Sequence, residues 1–410
     1  MKNKLLFITS ANLATNPRLV KEIDSFSASY EIDVVLFNFI HWSSQQDEIL
    51  IKDRSHINFI KLDVSKTNYF NWLIWALLEK FGRSIFPLFS NSLFIASLAL
   101  SRKSIKLLIS IKKNKDYSLI IAHNIPTLYP AYYLSKKWNI PFSYDIEDYD
   151  PGMKFKDSGS HFEEITTLLC KRLLPKAKLL TSASSLIGTT TLNLIKGHPN
   201  HKTIINSFPN NEFSQTNTRN IRDERLKFVW FSLTITKDRG LEEFFEAIED
   251  LDLPIDIKLI GALSDDFNEE IVIPFKLKNS AITLNVSPPI SQIELHKELS
   301  GYDIGLALEL PSNELNRDIC LSNKIIAYAQ SGLYILASNT QGQQQFMNQD
   351  SSRGIICELT KESISKSVET IYKNRSSILE HRMERFVSNA SLCWENQFTS
   401  LSKLVEQSIS

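Results

Sequence analysis

Three polar clusters in this chain combine residue types able to bind an anion or hold a sugar. In ICLSNKIIAYAQSGLYILAS (Ile319 to Ser338), Ser322 and Asn323 precede an apolar stretch of helical spacing, and Lys324 follows at once. Ser and Asn side chains accept the amide protons left unpaired at a helix N-terminus, and that end carries partial positive charge. An added lysine makes such a terminus an anion site; alone, the fragment fits equally an ordinary capped helix with a surface lysine. In FVWFSLTITKDRGLEEFFEAI, the polar residues Ser232, Thr234 and Arg239 lie between a strand and a helix beginning near Gly240. Hydroxyls and a guanidinium at that place grip phosphate oxygens, the guanidinium bidentately, unless Arg239 merely pairs with Glu242 or Glu243. Two cations arriving on separate loops point to a pyrophosphate.

The third cluster is in the first half. His123 and Asn124 end the apolar run Leu119 to Ala122, and Asp145, Glu147 and Asp148 end the next one. A neutral imidazole at that edge orients or contacts a sugar hydroxyl. Asn12, Thr15, Asn16 and Arg18 fill the first strand-to-helix loop, so three loops converge on one face.

The elements that must position these groups follow from hydrophobic pattern. Leu5 to Thr9, Glu31 to Phe39, Leu119 to Ala122, Phe142 to Tyr144 and Leu179 to Ser182 read as strands, with helices at Pro17 to Ser27 and Tyr129 to Trp138. After a polar stretch from Asn206 to Asp223 the rhythm restarts. Strands are expected at Lys227 to Ser232, Asp256 to Gly261, Ala281 to Leu284, Ile304 to Leu308 and Tyr334 to Ala337. Helices are expected at Leu241 to Asp250, Gln292 to Ser300 and Asn323 to Ser331. Strands alternating with helices imply parallel, doubly wound sheets. The expected fold is therefore α/β: two Rossmann-like domains facing across a cleft, with ligands at the strands' C-terminal edges. The first spans 1–205, a linker 206–226, the second 227–385, and a C-terminal helix, 386–410, packs back on the first.

Composition narrows the function. The 410 residues exceed one ordinary core. Lys+Arg and Asp+Glu both total 46, giving a net charge of zero, and no basic run argues for nucleic acid. Four scattered cysteines, Cys170, Cys320, Cys357 and Cys393, form no C-x-x-C pair and imply a reducing compartment without zinc ribbon or disulfides. The apolar run at the N-terminus reads as a first strand rather than a leader. From Tyr69 to Ile111, Trp72, Trp75, Phe81, Phe86 and Phe89 are interspersed with cations, and Ser84 to Ser101 carries no charge. Pro87, Asn91 and several serines argue against a membrane span. Two readings remain: an amphipathic segment at a membrane interface, or helices covering the first sheet.

The whole chain resembles the GT-B glycosyltransferases, and specifically bacterial glycosyltransferase family 4-like proteins. The resemblance is carried by TNPRLVKEI (Thr15 to Ile23), AHNIPTLYPAYYLSKKWNIPFSYD (Ala122 to Asp145), TKDRGLEEFFEAI (Thr236 to Ile248), LIGA (Leu259 to Ala262), YDIGLAL (Tyr302 to Leu308) and SNKIIAYAQSGLYILAS (Ser322 to Ser338). It implies retaining transfer of a sugar from a nucleotide diphosphate sugar, without cofactor or metal. The expected acceptor is a cell-surface glycan or lipid-linked sugar, and the aromatic and cationic stretch from Tyr69 to Ile111 leads to the expectation of a cytoplasmic protein resting peripherally on the membrane. By that likeness Arg239 and Lys324 neutralise the donor diphosphate and His123 sits near the transferred sugar. Ser232, Thr234, Gly261, Glu309, Ser322, Asn323 and Tyr328 complete the donor site, and Asn16, Arg18, Asn124 and Glu147 face the acceptor.

The departures are specific. Ala327 stands where the family's Asn-Lys-x-x-Glu-Tyr stretch has the Glu that binds the nucleotide ribose, and Ile319, eight residues earlier, is not an acid either. Glu147 stands where a histidine is often found. Unpaired ribose hydroxyls weaken donor binding by about 1 to 3 kcal/mol. A noncatalytic scaffold or glycan-binding protein, or a sugar-nucleotide epimerase, are the other functions compatible with such a chain.

Overall fold

The architecture is that of a computed structural model describing residues 3–39, 43–67, 69–114, 116–154, 161–214, 225–279, 281–310 and 314–409. Much of the expected linker, 215–224, lies outside the described residues. The chain divides into two compact units, one of Met1–Ile205, Glu314–Asn316 and Phe398–Ser410, the other of Asn206–Asn313 and Arg317–Gln397.

The first unit is built on seven strands: β1 (Lys4–Thr9), β2 (Glu31–Phe37), β3 (Asn58–Leu62), β4 (Tyr117–His123), β5 (Phe142–Ile146), β6 (Leu179–Ser182) and β7 (His201–Thr203). They lie in the order β3-β2-β1-β4-β5-β6-β7 and every pairing is parallel. Strand order reverses between β1 and β4, the switch point at which open α/β sheets bind ligands. Central strands covered on both faces must be continuously apolar, and Leu5 to Ile8 and Val34 to Phe37 are fully buried. The first helix, Pro17–Ser27, starts where Asn16 accepts from Leu19 N at 3.0 Å, with Pro17 supplying a preset φ.

The second unit has six strands: β8 (Leu226–Ile235), β9 (Ile255–Leu263), β10 (Thr283–Ser287), β11 (Ile304–Ala307), β12 (Tyr334–Ser338) and β13 (Gly354–Cys357). Their order is β10-β9-β8-β11-β12-β13, again parallel throughout. Phe228, Trp230, Phe244, Phe267 and Leu336 share its core. Both units are thus the doubly wound α/β sheets expected. Three strands escape the sequence pattern: β3, β7 and β13 are short edge strands, half-exposed or polar, and lack the apolar run that marks a central strand. β8 also runs past its expected end at Ser232 to Ile235, across a register shift between Phe231 and Thr234. Such a bulge re-aims side chains at a strand's edge.

The region 69–111 is helical, with Tyr69–Ile85, Leu93–Leu100 and Arg102–Ser110 as its helices. Among the described residues no helix is long and apolar enough to cross a membrane. Trp72 and Trp75 are half-buried beneath cations, Lys66 Nζ lying 4.9 Å from the Trp72 ring and Lys106 Nζ 5.4 Å from that of Trp75. The outward stripe is instead Phe70, Ile74, Leu77 and Phe81, joined by Leu88 and Phe89, with Phe70 79% and Leu88 80% exposed.

Candidate functional site

In the second unit the C-terminal edges of β8, β9, β10 and β11 surround a cavity of about 460 Å³. Ser232, Arg239, Glu309, Ser322, Asn323 and Lys324 all line it. Lys324 Nζ lies 3.1 Å from Glu309 Oε1 and 5.3 Å from the Trp230 ring. Arg239 is exposed and has no ion pair among the described residues; Glu242 instead accepts from the backbone N–H of Asp238 at 2.7 Å. The helix Asn323–Gln330 begins at Ser322, yet the Ser322 hydroxyl makes no capping bond and is buried without a partner. Asn323 accepts from Asn206 Nδ2 at 2.9 Å. The cap expected from sequence is therefore not closed by these side chains, and a lysine, an arginine and a hydroxyl are directed to one space.

The remaining wall is less polar. Phe208, held by a pair of hydrogen bonds between its backbone and the Gln330 amide at 2.9 and 3.0 Å, faces the cavity with Leu295 and His296. The His296 ring packs 4.3 Å from Phe208 and 4.6 Å from Phe213, and its Nδ1 lies 2.6 Å from Glu212 Oε2. The lining thus offers both cationic and hydroxyl groups suited to phosphate oxygens and aromatic side chains suited to a flat ring. These wall residues were not foreseen; Pro288-Pro289 after β10 was the available signal for a loop at that edge.

Three expected donor residues are elsewhere. Tyr328 is fully buried, its hydroxyl donating to Val229 O at 3.2 Å and its ring filling the space that a side chain at Gly305 would occupy. Thr234 belongs to β8 and is exposed outside the cavity, where Leu233 takes the lining position. Gly261 acts through its missing side chain: a Cβ there would be 2.5 Å from Ser232 O, so glycine lets the bulged strand approach. Ala327 is fully buried and does not line the cavity.

In the first unit the expected acceptor residues separate into an inner and an outer set. Arg18 is buried and forks onto Asp145, with Nε 2.5 Å from Oδ2 and Nη2 2.7 Å from Oδ1, while Nη1 donates to Ile204 O at 2.5 Å. Thr181 Oγ1 donates to the same carboxylate. His123 is wholly buried: Nδ1 lies 2.8 Å from Glu147 Oε1 and 3.5 Å from Asp145 Oδ2, and Nε2 lies 3.2 Å from Glu22 Oε2, outside hydrogen-bonding geometry. Burial lowers the imidazole pKa, but the charge of Glu22 and hydrogen bonds to Asp145 and Glu147 outweigh it, so the net shift is well upward. The expectation of a neutral imidazole at a sugar hydroxyl is corrected: His123 is wholly buried and enclosed by carboxylates that favour its protonated form. Arg18 and Asn16 are likewise buried and are not among the residues lining the first unit's cavity, because the acids facing them need counter-charges and donors. Burial opposes ionisation of Asp145, yet the Arg18 charge and His123 hold it well below the ordinary carboxylate range.

Glu22, His123 and Asp145 place ligand atoms within 4.8 Å of one another, a spacing compatible with a metal ion. Arg18 already occupies both Asp145 oxygens and the imidazole carries a proton, so the cluster is neutralised from within.

The outer set faces a cavity of about 390 Å³, lined by Asn124, Glu147, Asp148, Asp150 and Lys103 beside Phe39, Tyr144 and Phe162. Glu147 is the exposed tip of the buried network: Oε1 is fixed by His123 and by Asn16 Nδ2 at 2.8 Å, and Oε2 accepts from Asn124 Nδ2 at 3.3 Å. Burial, then the charges of Asp148 and Glu147, raise the Asp150 pKa well above the carboxylate range. Burial and neighbouring Arg102 pull Lys103 down to about 8. Neither Asp150 nor Lys103 was foreseen; Lys103 is sequence-remote from the strand edges and reaches them only through packing of its helix.

No family model matches the chain, and no curated protein matches it. Solved structures do. HepE of Anabaena in complex with UDP and glucose is 13% identical, with a TM-score of 0.65 over 99% of this chain and 100% of that one. A glycosyltransferase from Rickettsia africae is 13% identical with a TM-score of 0.65 over 100% and 99%. Sucrose-phosphate synthase from Thermosynechococcus elongatus is 12% identical with a TM-score of 0.65 over 99% of each chain. At such identities the likeness is one of fold, and it covers both sheets: the seven- and six-stranded parallel α/β units of this chain have the GT-B architecture.

Proposed function

We propose that this protein transfers a sugar, with retention of anomeric configuration, from a nucleotide diphosphate sugar to a cell-surface glycan or lipid-linked acceptor. The observation that carries the reading is the cavity of the second unit, which Lys324, Arg239 and the unpartnered Ser322 hydroxyl line together with Phe208 and His296. A nucleoside diphosphate combines those two chemistries, anionic and aromatic. As the glycosidic bond breaks, negative charge grows on the departing diphosphate, and fixed cations that need not reorganise stabilise it. Glu309 holds the Lys324 ammonium in place and supplies an acceptor for a donor hydroxyl, offsetting Ala327. On the acceptor side Glu147, oriented by His123, Asn16 and Asn124, accepts a hydrogen bond from the incoming sugar; His123 is a positioning residue.

Thermal melting with UDP, GDP, ADP and CMP sugars tests this, because a ligand bound only by the folded protein raises its melting temperature. One nucleotide sugar is expected to do so and to be turned over in EDTA, since the two cations replace a metal. No shift with any donor removes the reading; loss of turnover in EDTA with recovery in Mg²⁺ or Mn²⁺ removes metal independence. Binding without turnover favours the noncatalytic scaffold, to which buried Ala327 lends support.

The outward stripe Phe70, Ile74, Leu77 and Phe81, flanked by exposed Lys66 and Lys80, seats this cytoplasmic enzyme on an anionic membrane surface, apolar side chains entering the interface and ammonium groups meeting headgroups. Wild type is expected to float with anionic liposomes, and the variant Phe70→Ser, Leu77→Ser, Phe81→Ser to remain in the dense fraction. These outward residues are the sharper test, because Trp72 and Trp75 are half-buried. Wild type that fails to float defeats the proposal.

A further inference from the structure

The cavity of the first unit has two unlike ends, and their separation says what fits between them. Glu147, Asp148 and Asp150 follow the C-terminal end of β5. Lys103 enters from the helix Arg102–Ser110 and reaches the end of β1, where Nζ donates to Ser10 O at 2.6 Å and lies 4.3 Å from the Phe39 ring. Since β4 lies between β1 and β5 and neighbouring strands are about 4.8 Å apart, the ends are roughly 10 Å apart. A single pyranose ring with a substituent on its anomeric oxygen is of that order.

The chemistry of the ends differs in sign. A carboxylate accepts from hydroxyls and repels anions, and Glu147 is already aimed by three donors. Burial and the neighbouring acids shift Asp150 toward its protonated form, in which it donates as well as accepts. The pair suits vicinal ring hydroxyls. An ammonium has three N–H donors, and Lys103 spends one on Ser10 O with no carboxylate paired to it among the described residues. Phosphate is the sugar substituent that answers a half-buried ammonium with spare donors. Apolar Leu100, Ile125 and Pro126 cover the space as well, suiting the C–H face of a ring.

We propose that this cavity receives the acceptor as a sugar 1-phosphate ester, with ring hydroxyls on Glu147, Asp148 and Asp150 and the anomeric phosphate on Lys103. The proposal rests on the reading of the first unit as the acceptor side, and it names the acceptor class. The same ester is presented by a soluble sugar 1-phosphate or by a lipid-linked sugar phosphate.

Binding to the full chain is measured with glucose, galactose and N-acetylglucosamine 1-phosphates, with the parent sugars, and with inorganic phosphate. At least one ester is expected to bind tenfold or more tighter than its parent sugar and than phosphate. Lys103→Met keeps the packed stem and removes the charge, so it should erase that preference; Asp150→Asn should weaken ester and parent sugar alike. Neutral phosphatidylcholine vesicles with and without a polyprenyl phosphate sugar supply the second arm: tighter binding to loaded vesicles identifies the lipid source, equal binding the soluble one. UDP, measured in parallel with Lys324→Met, keeps the two readings apart. A chain that binds UDP but no ester, or whose ester preference survives in folded Lys103→Met, overturns this inference alone. Ester binding that depends on Lys103, with no binding of UDP, GDP, ADP or CMP or their sugars, sustains it and removes the donor assignment.

Discussion

Lys324→Ala is expected to lower turnover by roughly 100- to 1,000-fold, with little change in melting temperature. Removing one preorganised contact to developing negative charge costs about 2.7 to 4 kcal/mol of transition-state stabilisation. The ammonium is nearly enclosed, 12% exposed, beside the Trp230 ring, so water substitutes poorly for it. Its loss leaves Glu309 unpaired, but that carboxylate is 29% exposed and remains partly hydrated, which keeps the folding cost small. Arg239→Ala should fall in the same direction by at least tenfold; its guanidinium is solvent-exposed before the donor arrives, so part of its strength is screened. Steady-state kinetics beside thermal melts checks both. Unchanged turnover in the two variants together defeats the donor-site assignment.

Arg18→Met should be the most destabilising single substitution in the first unit, costing about 3 to 5 kcal/mol, because removing one partner leaves a buried charge uncompensated. Asp145 is 2% exposed and would keep only Thr181 and His123 as partners. Chemical denaturation monitors the loss, and a cost under 1 kcal/mol shows that the network is not a structural support. The same cluster sets a pH window. Asp145 has a folded pKa below its unfolded one, so its contribution is complete above the ordinary carboxylate range and is lost as pH falls through it. His123 has a raised folded pKa, so its contribution is complete below about 6.5 and is lost as pH rises through the folded value. In Arg18→Met the acid-side loss should become smaller and begin at higher pH, since His123 and Thr181 alone then favour the Asp145 carboxylate.

How far the sequence reaches depends on which physical constraint wrote each residue. Central strands such as Leu5 to Ile8 and Phe228 to Phe231 must exclude water on both faces, and their apolar runs are therefore legible; β3, β7 and β13 border the sheets and carry no such requirement. Placement at the C-terminal edge of a parallel strand is likewise written in the alternation of strand, polar loop and helix, which is why Ser232, Arg239, Ser322, Asn323 and Lys324, legible as edge residues in the sequence, line one cavity. Direction of a side chain is not. Tyr328 follows Lys324 by four residues on one helix, yet its ring is drawn into the core against Gly305. His123 ends β4 and Arg18 lies in the first turn of the helix Pro17–Ser27, at the same edge as Glu147, but Glu22 and Asp145 turn them inward, since an interior carboxylate requires a counter-charge wherever the backbone happens to offer one. Lys103 is the converse: nothing near it in the chain marks a site, and only the packing of its helix brings its ammonium to the end of β1. Local pattern therefore determined the central strands of both sheets, the edge at which the second unit's cavity lies and the cations that line it. Tertiary packing decided which polar groups face solvent, because burial and charge compensation act through space between segments far apart in sequence.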